Sequence, residues 1–143
     1  IKLWTPDGFD RLVIGEGWET VLSVLLAELD TDVFKRTAYW TSIDLQHMGG
    51  RALESVAHPT LKDKGGRPLR VPGPVPDLDD DTALLLPGQV KEVLRLGDGD
   101  SDRFTADQVM LRAKARWARK GLTDRTVFAP DGQDFNDILQ GAT

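Results

Sequence analysis

Residues 11–29 read RLVIGEGWETVLSVLLAEL, a sequence in which two structural periods meet. The first five residues, Arg11 to Gly15, form a short apolar run of the kind that makes a buried β-strand. After Gly17 the apolar residues recur at helical spacing, and they are Trp18, Val21, Leu22, Leu25 and Leu29. These residues therefore predict a strand that passes directly into a helix, with Glu16 at the junction.

The same succession of strand and helix recurs along the rest of the chain. Further strand candidates lie at 38–43, 91–96 and 126–129. Helical patterns cover three segments, which are about 46–56, a stretch of about 17 residues that begins after Asp102, and about 135–139. The long helix has a predicted buried stripe of Ala106, Val109, Met110, Ala113 and Trp117. Because parallel strands need crossover connections, we expect an α/β fold in three layers, with a mostly parallel central sheet of about four strands and helices on both faces.

Length and composition limit the class of protein. With 143 residues, of which 40% are hydrophobic, we predict a single domain over 1–143. Residues 58–88 are rich in Gly and Pro, and we expect an extended insertion with a short hairpin there. The absence of Cys excludes disulfide scaffolds and thiol nucleophiles and favours a reducing, intracellular setting. No apolar run predicts a membrane span, and the start at Ile1 suggests a piece of a longer protein.

Three acidic residues follow two of the predicted strands. Glu16 comes after strand 11–15, and Asp98 and Asp100 come after strand 91–96. The carboxyl ends of parallel strands share one edge of the sheet, where ligands collect. Carboxylates that converge there repel one another unless protons or a divalent cation neutralise them, and Mg²⁺ prefers such oxygen ligands. The net charge of -5 argues against DNA binding by overall electrostatics and is consistent with a cation as partner of these acids.

Other interpretations of the acidic residues remain open from the residues alone. Glu16 could be an exposed carboxylate at a helix start, where it meets the positive end of the helix dipole. Residues 98–102 could form a solvated turn, or the opening of a calcium loop in which Arg103 replaces the required Gly. The simplest role of three later polar residues is to cap a terminal helix, and these are Asp134, Asn136 and Asp137.

The order of these motifs resembles a known family. LVIGEGWET, residues 12–20, is similar to the glutamate motif of Toprim domains, in the EGxET version of phage-type primases. Asp98-Gly-Asp100 resembles the DxD motif of the family, and GQDFNDIL, residues 132–139, resembles the tail of the primase and helicase-primase branch. The chain departs from the family pattern at Arg103, where a small Gly often follows, and in its long insertion.

The resemblance implies a Toprim fold and an assignment of roles. Glu16 would act as general acid or base or as a metal ligand, while Asp98 and Asp100 would hold Mg²⁺, or Mn²⁺ in its place, during nucleotidyl transfer. Asp102 is expected as a further metal ligand. Supporting residues near the metal are expected to be Glu19, Asp134, Asn136 and Asp137.

The function implied is that of a DNA primase-type nucleotidyltransferase, which makes primers during phage or plasmid-like replication in the cytoplasm of a bacterial or phage-infected cell. Its partners would be a single-stranded DNA template and nucleoside triphosphates, with no membrane. Helicase and zinc-binding modules would lie elsewhere in the parent chain, since no P-loop or Cys-rich motif occurs here, and the isolated domain would be weakly active. The alternatives are a Toprim-type nuclease or strand-cleaving domain, for which Tyr39 is the only tyrosine nucleophile, and a non-catalytic metal-dependent nucleic-acid-binding module.

Basic and aromatic residues complete the expectations. Expected nucleic-acid contacts in the insertion, where loop solvation is the simpler interpretation, are Lys62, Lys64, Arg67 and Arg70. A second basic set flanks the long helix as a solvated face or a DNA contact, and it comprises Arg112, Arg116, Arg119 and Lys120. Trp18 and Trp117 fall on apolar helix faces, so both are predicted to lie in the core.

Overall fold

A computed structural model describes residues 1–141. Five strands form the main sheet, and they are β1 Lys2–Trp4, β2 Arg11–Gly15, β3 Thr37–Thr41, β6 Glu92–Gly97 and β7 Thr123–Phe128. Two more strands form a separate hairpin, β4 Ser55–Lys62 and β5 Pro68–Pro72. The helices are α1 Trp18–Glu28, α2 Leu45–Gly49, α3 Arg103–Trp117 and α4 Phe135–Leu139, with a 3₁₀ turn at Asp32–Arg36. The expected α/β architecture is confirmed at this level.

The strand order in the main sheet is β1-β3-β2-β6-β7. The pairs β3–β2, β2–β6 and β6–β7 are parallel, and these four strands are the four that the sequence predicts. The additional strand, β1, pairs antiparallel with β3 at one edge. With three mostly exposed residues, β1 is too short to show a hydrophobic alternation, so the pattern of the sequence does not reveal this strand.

Each face of the sheet has its own core. All five residues of β2 are buried, as expected of a central parallel strand covered on both sides. Leu12 and Ile14 belong to the cluster that includes α2 and α3, whereas Val13 belongs to the cluster under α1 and α4. The stripe predicted on α3, from Ala106 to Trp117, is buried at all five positions. The layers therefore follow the two periods of the sequence.

Two expectations about helices are wrong. The predicted helix over 46–56 ends at Gly49, because Gly50 has a φ of +68° and a Cβ there would lie 2.5 Å from the Cβ of Ala83. Trp18 is 55% exposed, although it lies on the apolar period of α1. It is the first residue of that helix, so it projects at the sheet edge instead of packing over the sheet.

The expected insertion forms the β4–β5 hairpin, which begins at Ser55, three residues before the predicted boundary of 58. The predicted solvated flank of α3 is wrong for Arg112, which is fully buried. Its guanidinium donates hydrogen bonds to the carbonyl oxygens of Gly50 at 2.9 Å and Gly73 at 2.6 Å. Arg116 donates to the carbonyl of Gly49, at the end of α2, and Arg119 donates to the carbonyl of Pro87. Arg112 and Arg119 thus attach the insertion to the core.

Within residues 1–141, no helix is both long enough and apolar enough to cross a lipid bilayer.

Candidate metal centre at the carboxyl edge of the sheet

The strand order creates a crevice at one position in the sheet. From β2 the chain crosses to β3 on one side, whereas β6 and β7 lie on the other side of β2. The boundary between β2 and β6 is therefore the topological switch point, and ligands of open parallel sheets bind beyond the carboxyl ends of the strands there. Gly15 pairs with Leu96 across this boundary, so Glu16 and Asp98 both follow strands that end side by side. The condition for convergence of these acids, that the two strands are neighbours, is therefore met.

Two threonines fix the position of these acids. The hydroxyl of Thr20, in the first turn of α1, donates a hydrogen bond of 2.7 Å to Oδ1 of Asp98. The hydroxyl of Thr41, at the end of β3, donates one of 2.5 Å to the backbone carbonyl of Glu16. Thr20 and Thr41 are both buried, so their contacts link the ends of three neighbouring strands. Thr20 was quoted within the EGxET-like motif without a role, and Thr41 was not selected from the sequence.

The carboxylates at this edge repel one another. Burial raises the pKa of Glu16, and the charges of Asp98, Asp44 and Asp100 raise it further. Burial also raises the pKa of Asp98, together with the charges of Asp100 and Asp134, although the hydrogen bond from Thr20 acts in the opposite direction. Among residues 1–141, no Lys or Arg forms an ion pair with any of these five carboxylates. Within the described residues, no basic side chain therefore neutralises their negative charge.

Glycines allow the acidic turn to pack against the loop before α4. A Cβ at Gly97 would lie 2.3 Å from the ring of Phe128, and one at Gly99 would lie 2.0 Å from the carbonyl oxygen of Pro130. The amide of Gly99 donates a hydrogen bond of 2.9 Å to the carbonyl of Gln133. Only residues without a side chain fit here, and this close approach brings Asp134 near Asp98.

The expected supporting residues have different surroundings. Asp134 caps α4 and forms a capping box with Asp137, as the capping interpretation predicted. Asp134 also contributes negative charge at Asp98, so capping does not separate it from the site. Asn136 lies in the first turn of α4, and Glu19 is exposed in the first turn of α1. Of the supporting set, Asp134 is the residue whose charge acts on the acidic turn.

Asp102 lies in a separate set of contacts. Its Oδ2 accepts hydrogen bonds from the amide of Thr105 at 2.9 Å and from the hydroxyl of Thr105 at 2.5 Å, which caps α3. These bonds, and the contact with His58, lower its pKa. Asp102 is not among the charges that raise the pKa of Glu16 or Asp98. The structure therefore groups Asp102 with α3 and the hairpin instead of with the other three acids.

His58 connects the hairpin to the acidic turn. Its Nδ1 accepts hydrogen bonds from the amides of Thr60 and Leu61, so the ring proton is on Nε2. Nε2 donates to Asp102, 2.9 Å away, and the imidazole is buried. No spacing in the sequence marks this pair, because the two residues are 44 positions apart.

Asp44 is another residue that the sequence analysis did not select. It follows β3, caps α2 by accepting a hydrogen bond from the amide of His47 at 2.6 Å, and acts electrostatically on Glu16. A signal for it was present, since it follows a predicted strand as Glu16 and Asp98 do. The sequence rule that selected those two acids would have found it if applied to every strand.

The basic residues of the hairpin are exposed, which both nucleic-acid contact and loop solvation require. They are Lys62, Lys64, Arg67 and Arg70. Arg70 donates hydrogen bonds to the backbone carbonyl and the hydroxyl of Ser55, which fixes it across the hairpin. Over residues 1–141, no Asp or Glu forms an ion pair with these four side chains. The hairpin is therefore a positively charged projection from an acidic domain.

In the part of the chain from 1 to 141, no three Asp, Glu or His side chains already converge into a ready metal-binding group. Glu16, Asp98 and Asp100 offer the oxygen ligands that Mg²⁺ prefers, and Mg²⁺ usually completes its coordination with water and phosphate oxygens. Comparison with models of known families, with curated proteins and with solved structures finds no match. No activity is therefore transferred to this chain from a relative.

Proposed function

We propose that this chain is a Toprim-type domain that binds Mg²⁺ through Glu16, Asp98 and Asp100 and catalyses nucleotidyl transfer in DNA primer synthesis. The observation that carries the proposal is the set of uncompensated carboxylates at the topological switch point of the sheet. Charges that stay unpaired at such a position raise the free energy of the metal-free protein. A divalent cation relieves that repulsion and so has a physical reason to bind there.

The residues divide the chemical work by their surroundings. Thr20 orients Asp98, which suits it to be a fixed ligand of the cation. Asp100 is exposed, which suits it to bind the cation together with water molecules. Glu16 has a raised pKa, so it is suited to accept the proton of an attacking 3′-hydroxyl or to return a proton to a leaving group. A cation held by these carboxylates would supply positive charge for the phosphate oxygens when the 3′-hydroxyl displaces pyrophosphate.

The hairpin supports single-stranded DNA as the partner. Its exposed lysines and arginines offer positive charge to a phosphate backbone, while the domain as a whole has a net charge of -5. The hydrogen bond between His58 and Asp102 holds the base of the hairpin to the start of α3, two residues after Asp100. A template bound along the hairpin would therefore run toward the acidic turn.

The environment of Tyr39 disfavours the strand-cleaving alternative in its tyrosine-dependent form. Tyr39 is fully buried, and its hydroxyl donates a hydrogen bond of 2.5 Å to Glu28 at the end of α1. Burial and this carboxylate raise its pKa, which opposes formation of a nucleophilic phenolate. Because α1 begins near Glu16 and ends at Glu28, the hydroxyl points toward the opposite edge of the sheet. A metal-dependent nuclease and a non-catalytic binding module remain as alternatives to be separated by assay.

The first test is a calorimetric titration of the chain with Mg²⁺ and with Mn²⁺. We expect saturable binding in the wild type and affinity at least about tenfold lower in Glu16→Gln and in Asp98→Asn, since each removes a charged ligand. Asp32→Asn is the matched control, because Asp32 is fully exposed and pairs only with Lys35 in the described chain. Binding that is the same in all four proteins would exclude the proposed centre.

A second measurement separates the activities. Primer synthesis is assayed on single-stranded DNA with nucleoside triphosphates, and nuclease activity is assayed on the same DNA without them. Synthesis that Asp98→Asn abolishes would support the transferase, whereas metal-dependent degradation without synthesis would establish the nuclease. Metal binding with neither activity, in the isolated and in the full-length chain, would leave the binding module.

A further inference from the structure

Trp18 has an exposed position that the fold does not require. It is 55% exposed, whereas Trp40 and Trp117 are buried and Trp4 stacks on Phe34 with ring centroids 5.6 Å apart. Among residues 1–141, no aromatic ring stacks on Trp18. It lies two positions after Glu16, at the first turn of α1 and thus at the carboxyl edge of the sheet. A large aromatic surface is therefore in contact with solvent beside the acidic centre.

Ile43, two residues after the end of β3, has an unusual conformation. Its φ is +76°, and no other non-glycine residue of the described chain has a positive φ. This conformation is strained for a β-branched residue, and such strain concentrates at ligand-binding sites. The Ile43 side chain is nevertheless 65% exposed, so burial of that side chain does not explain the strain.

Hydrogen bonds attach this strained residue to the backbone of Glu16. The amide of Ile43 donates to the hydroxyl of Thr41 at 3.1 Å, and the same hydroxyl donates to the carbonyl of Glu16 at 2.5 Å. Ile43 thus has a fixed position relative to the acidic centre. Its exposed side chain belongs to the end of β3, on the side of β2 opposite to β6.

The carboxyl edge of the sheet therefore combines two chemical characters. Exposed apolar side chains lie at the ends of β3 and β2, at Ile43 and Trp18, while carboxylates lie at the ends of β2 and β6 and, at Asp44, directly after Ile43. A ligand that uses both needs phosphates for a cation held by the acids and a flat apolar group for the aromatic side chain. Nucleotides combine these two chemistries, and aromatic side chains stack on any nucleobase.

We propose that Trp18 and Ile43 form a nucleobase-binding patch, in which Trp18 stacks on a base and Ile43 forms the adjacent apolar wall. The inference rests on the proposed function, which supplies the phosphates at the neighbouring acids. The same base chemistry is present in a template strand and in a nucleoside triphosphate. A patch of this kind favours bases over bare phosphate without discriminating among base sequences.

The test compares two labelled oligonucleotides of equal length and charge, oligo(dT) and a fully abasic strand, by fluorescence anisotropy. We expect the wild type to bind oligo(dT) about tenfold more tightly than the abasic strand, and Trp18→Ala to lose that preference without changing abasic binding. Trp18→Phe should keep most of the preference. Leu26→Ala is the matched control on the same helix, since Leu26 is 48% exposed.

Ile43→Gly provides a second variant that folds readily, because Gly adopts a positive φ without strain. We expect it to reduce the preference for oligo(dT) about threefold. Competition by ATP and by inorganic tripolyphosphate, each with Mg²⁺, then identifies the source of the base. Stronger competition by ATP that Trp18→Ala removes assigns the patch to the incoming nucleotide, and equal competition assigns it to the strand.

The result is distinguishable from failure of the metal centre. Equal binding of oligo(dT) and the abasic strand by the wild type, or an unchanged preference in Trp18→Ala, would refute the patch even where Mg²⁺ binds normally. A preference for bases that persists in a chain that binds no Mg²⁺ would instead preserve the patch and refute the proposed function. We expect Trp18→Ala to bind Mg²⁺ with wild-type affinity.

Discussion

Charged side chains have different partners at the two ends of the parallel strands, which are the amino edge, where the strands begin, and the carboxyl edge, where they end. At the amino edge Arg11 is almost completely buried, and both of its terminal nitrogens donate to the carboxylate of Glu28, at 2.8 and 3.0 Å. Glu28 also accepts the hydroxyl hydrogen of Tyr39. Arg36 pairs with Asp10 at 2.8 Å, so the acids of this edge have basic partners. At the carboxyl edge the acids repel one another and have none within residues 1–141.

This difference shows that the unpaired acids are not a general property of the fold. At the amino edge of the same sheet, which is not the candidate site, the acids are paired with arginines. Structural charges are normally paired, because an unpaired charge that is partly buried costs free energy. Groups with perturbed pKa values at a topological switch point are therefore best explained by a ligand that the acids bind.

The largest effect is expected from removing charge compensation at the amino edge. Arg11→Met retains most of the side-chain volume but leaves the half-buried carboxylate of Glu28 without its bidentate partner. We expect the free energy of unfolding to fall by about 3 kcal/mol, the size typical of breaking one side of a buried ion pair. Urea denaturation followed by circular dichroism measures it.

Arg36→Met is the matched control for this substitution. Arg36 also pairs with two carboxylates, but its side chain is 45% exposed. Exposed pairs contribute little, so we expect a loss below about 1 kcal/mol. Equal effects of the two substitutions would mean that the amino edge does not depend on buried compensation, and the contrast between the edges would lose its basis.

Some features of the fold could be predicted from the sequence and others could not, for a physical reason. Strand and helix periods are local, so the four parallel strands, and the places of Glu16 and Asp98 after two of them, could be derived from the sequence. The pairing of those two strands could not, because it joins segments that are distant in the chain. Contacts that join distant segments leave no local pattern. Arg112 looks like a surface residue in its helix, yet its guanidinium donates to the carbonyls of Gly50 and Gly73, which belong to two segments distant in the chain.

Trp18 illustrates the converse limit. Its spacing matches the apolar face of α1, but a period does not show where a helix starts relative to the sheet edge. The same limit applies to the contacts of Asp102 with Thr105 and His58, which its position after the strand does not reveal. Residues at element ends are thus the ones whose surroundings the sequence predicts least well.

An intermediate effect, of opposite sign at the two edges, is expected from one type of substitution. Burial and neighbouring acids raise the pKa of Glu16 above its usual value of 4.5, so its contribution to stability is present at low pH and is lost as pH rises through the raised pKa. Metal-free Glu16→Gln should therefore be more stable than the wild type at pH 7, by about 0.5 kcal/mol. The difference should disappear below about pH 4.

Glu92→Gln should do the reverse. Burial of Glu92 works against ionisation, but the hydrogen bond from Arg36 and the charges of Arg11, Arg36 and Arg125 lower its pKa overall. Its contribution to stability is present above the usual pKa and is lost as pH falls through the lowered pKa. We expect a loss of about 1 kcal/mol at pH 7 that vanishes in acid. Thermal melts in a chelating buffer from pH 3 to 7 measure both variants, and slopes of the same sign would contradict the contrast.

An effect on ligand affinity instead of stability is expected at Thr20, which orients one acid of the carboxyl edge. Thr20→Val preserves the shape of this buried residue but removes the hydroxyl that donates to Asp98 at 2.7 Å. A hydrogen bond to a charged acceptor contributes about 1 kcal/mol or somewhat more, so we expect Mg²⁺ affinity to fall about fivefold while the fold is retained. Ser23→Ala removes a hydroxyl of equal burial on the same helix, which donates only to the carbonyl of Glu19. Calorimetric affinities that are the same in the two variants would show that Asp98 does not need Thr20 to bind the cation, whereas a loss confined to Thr20→Val would show that the protein orients this carboxylate for its ligand.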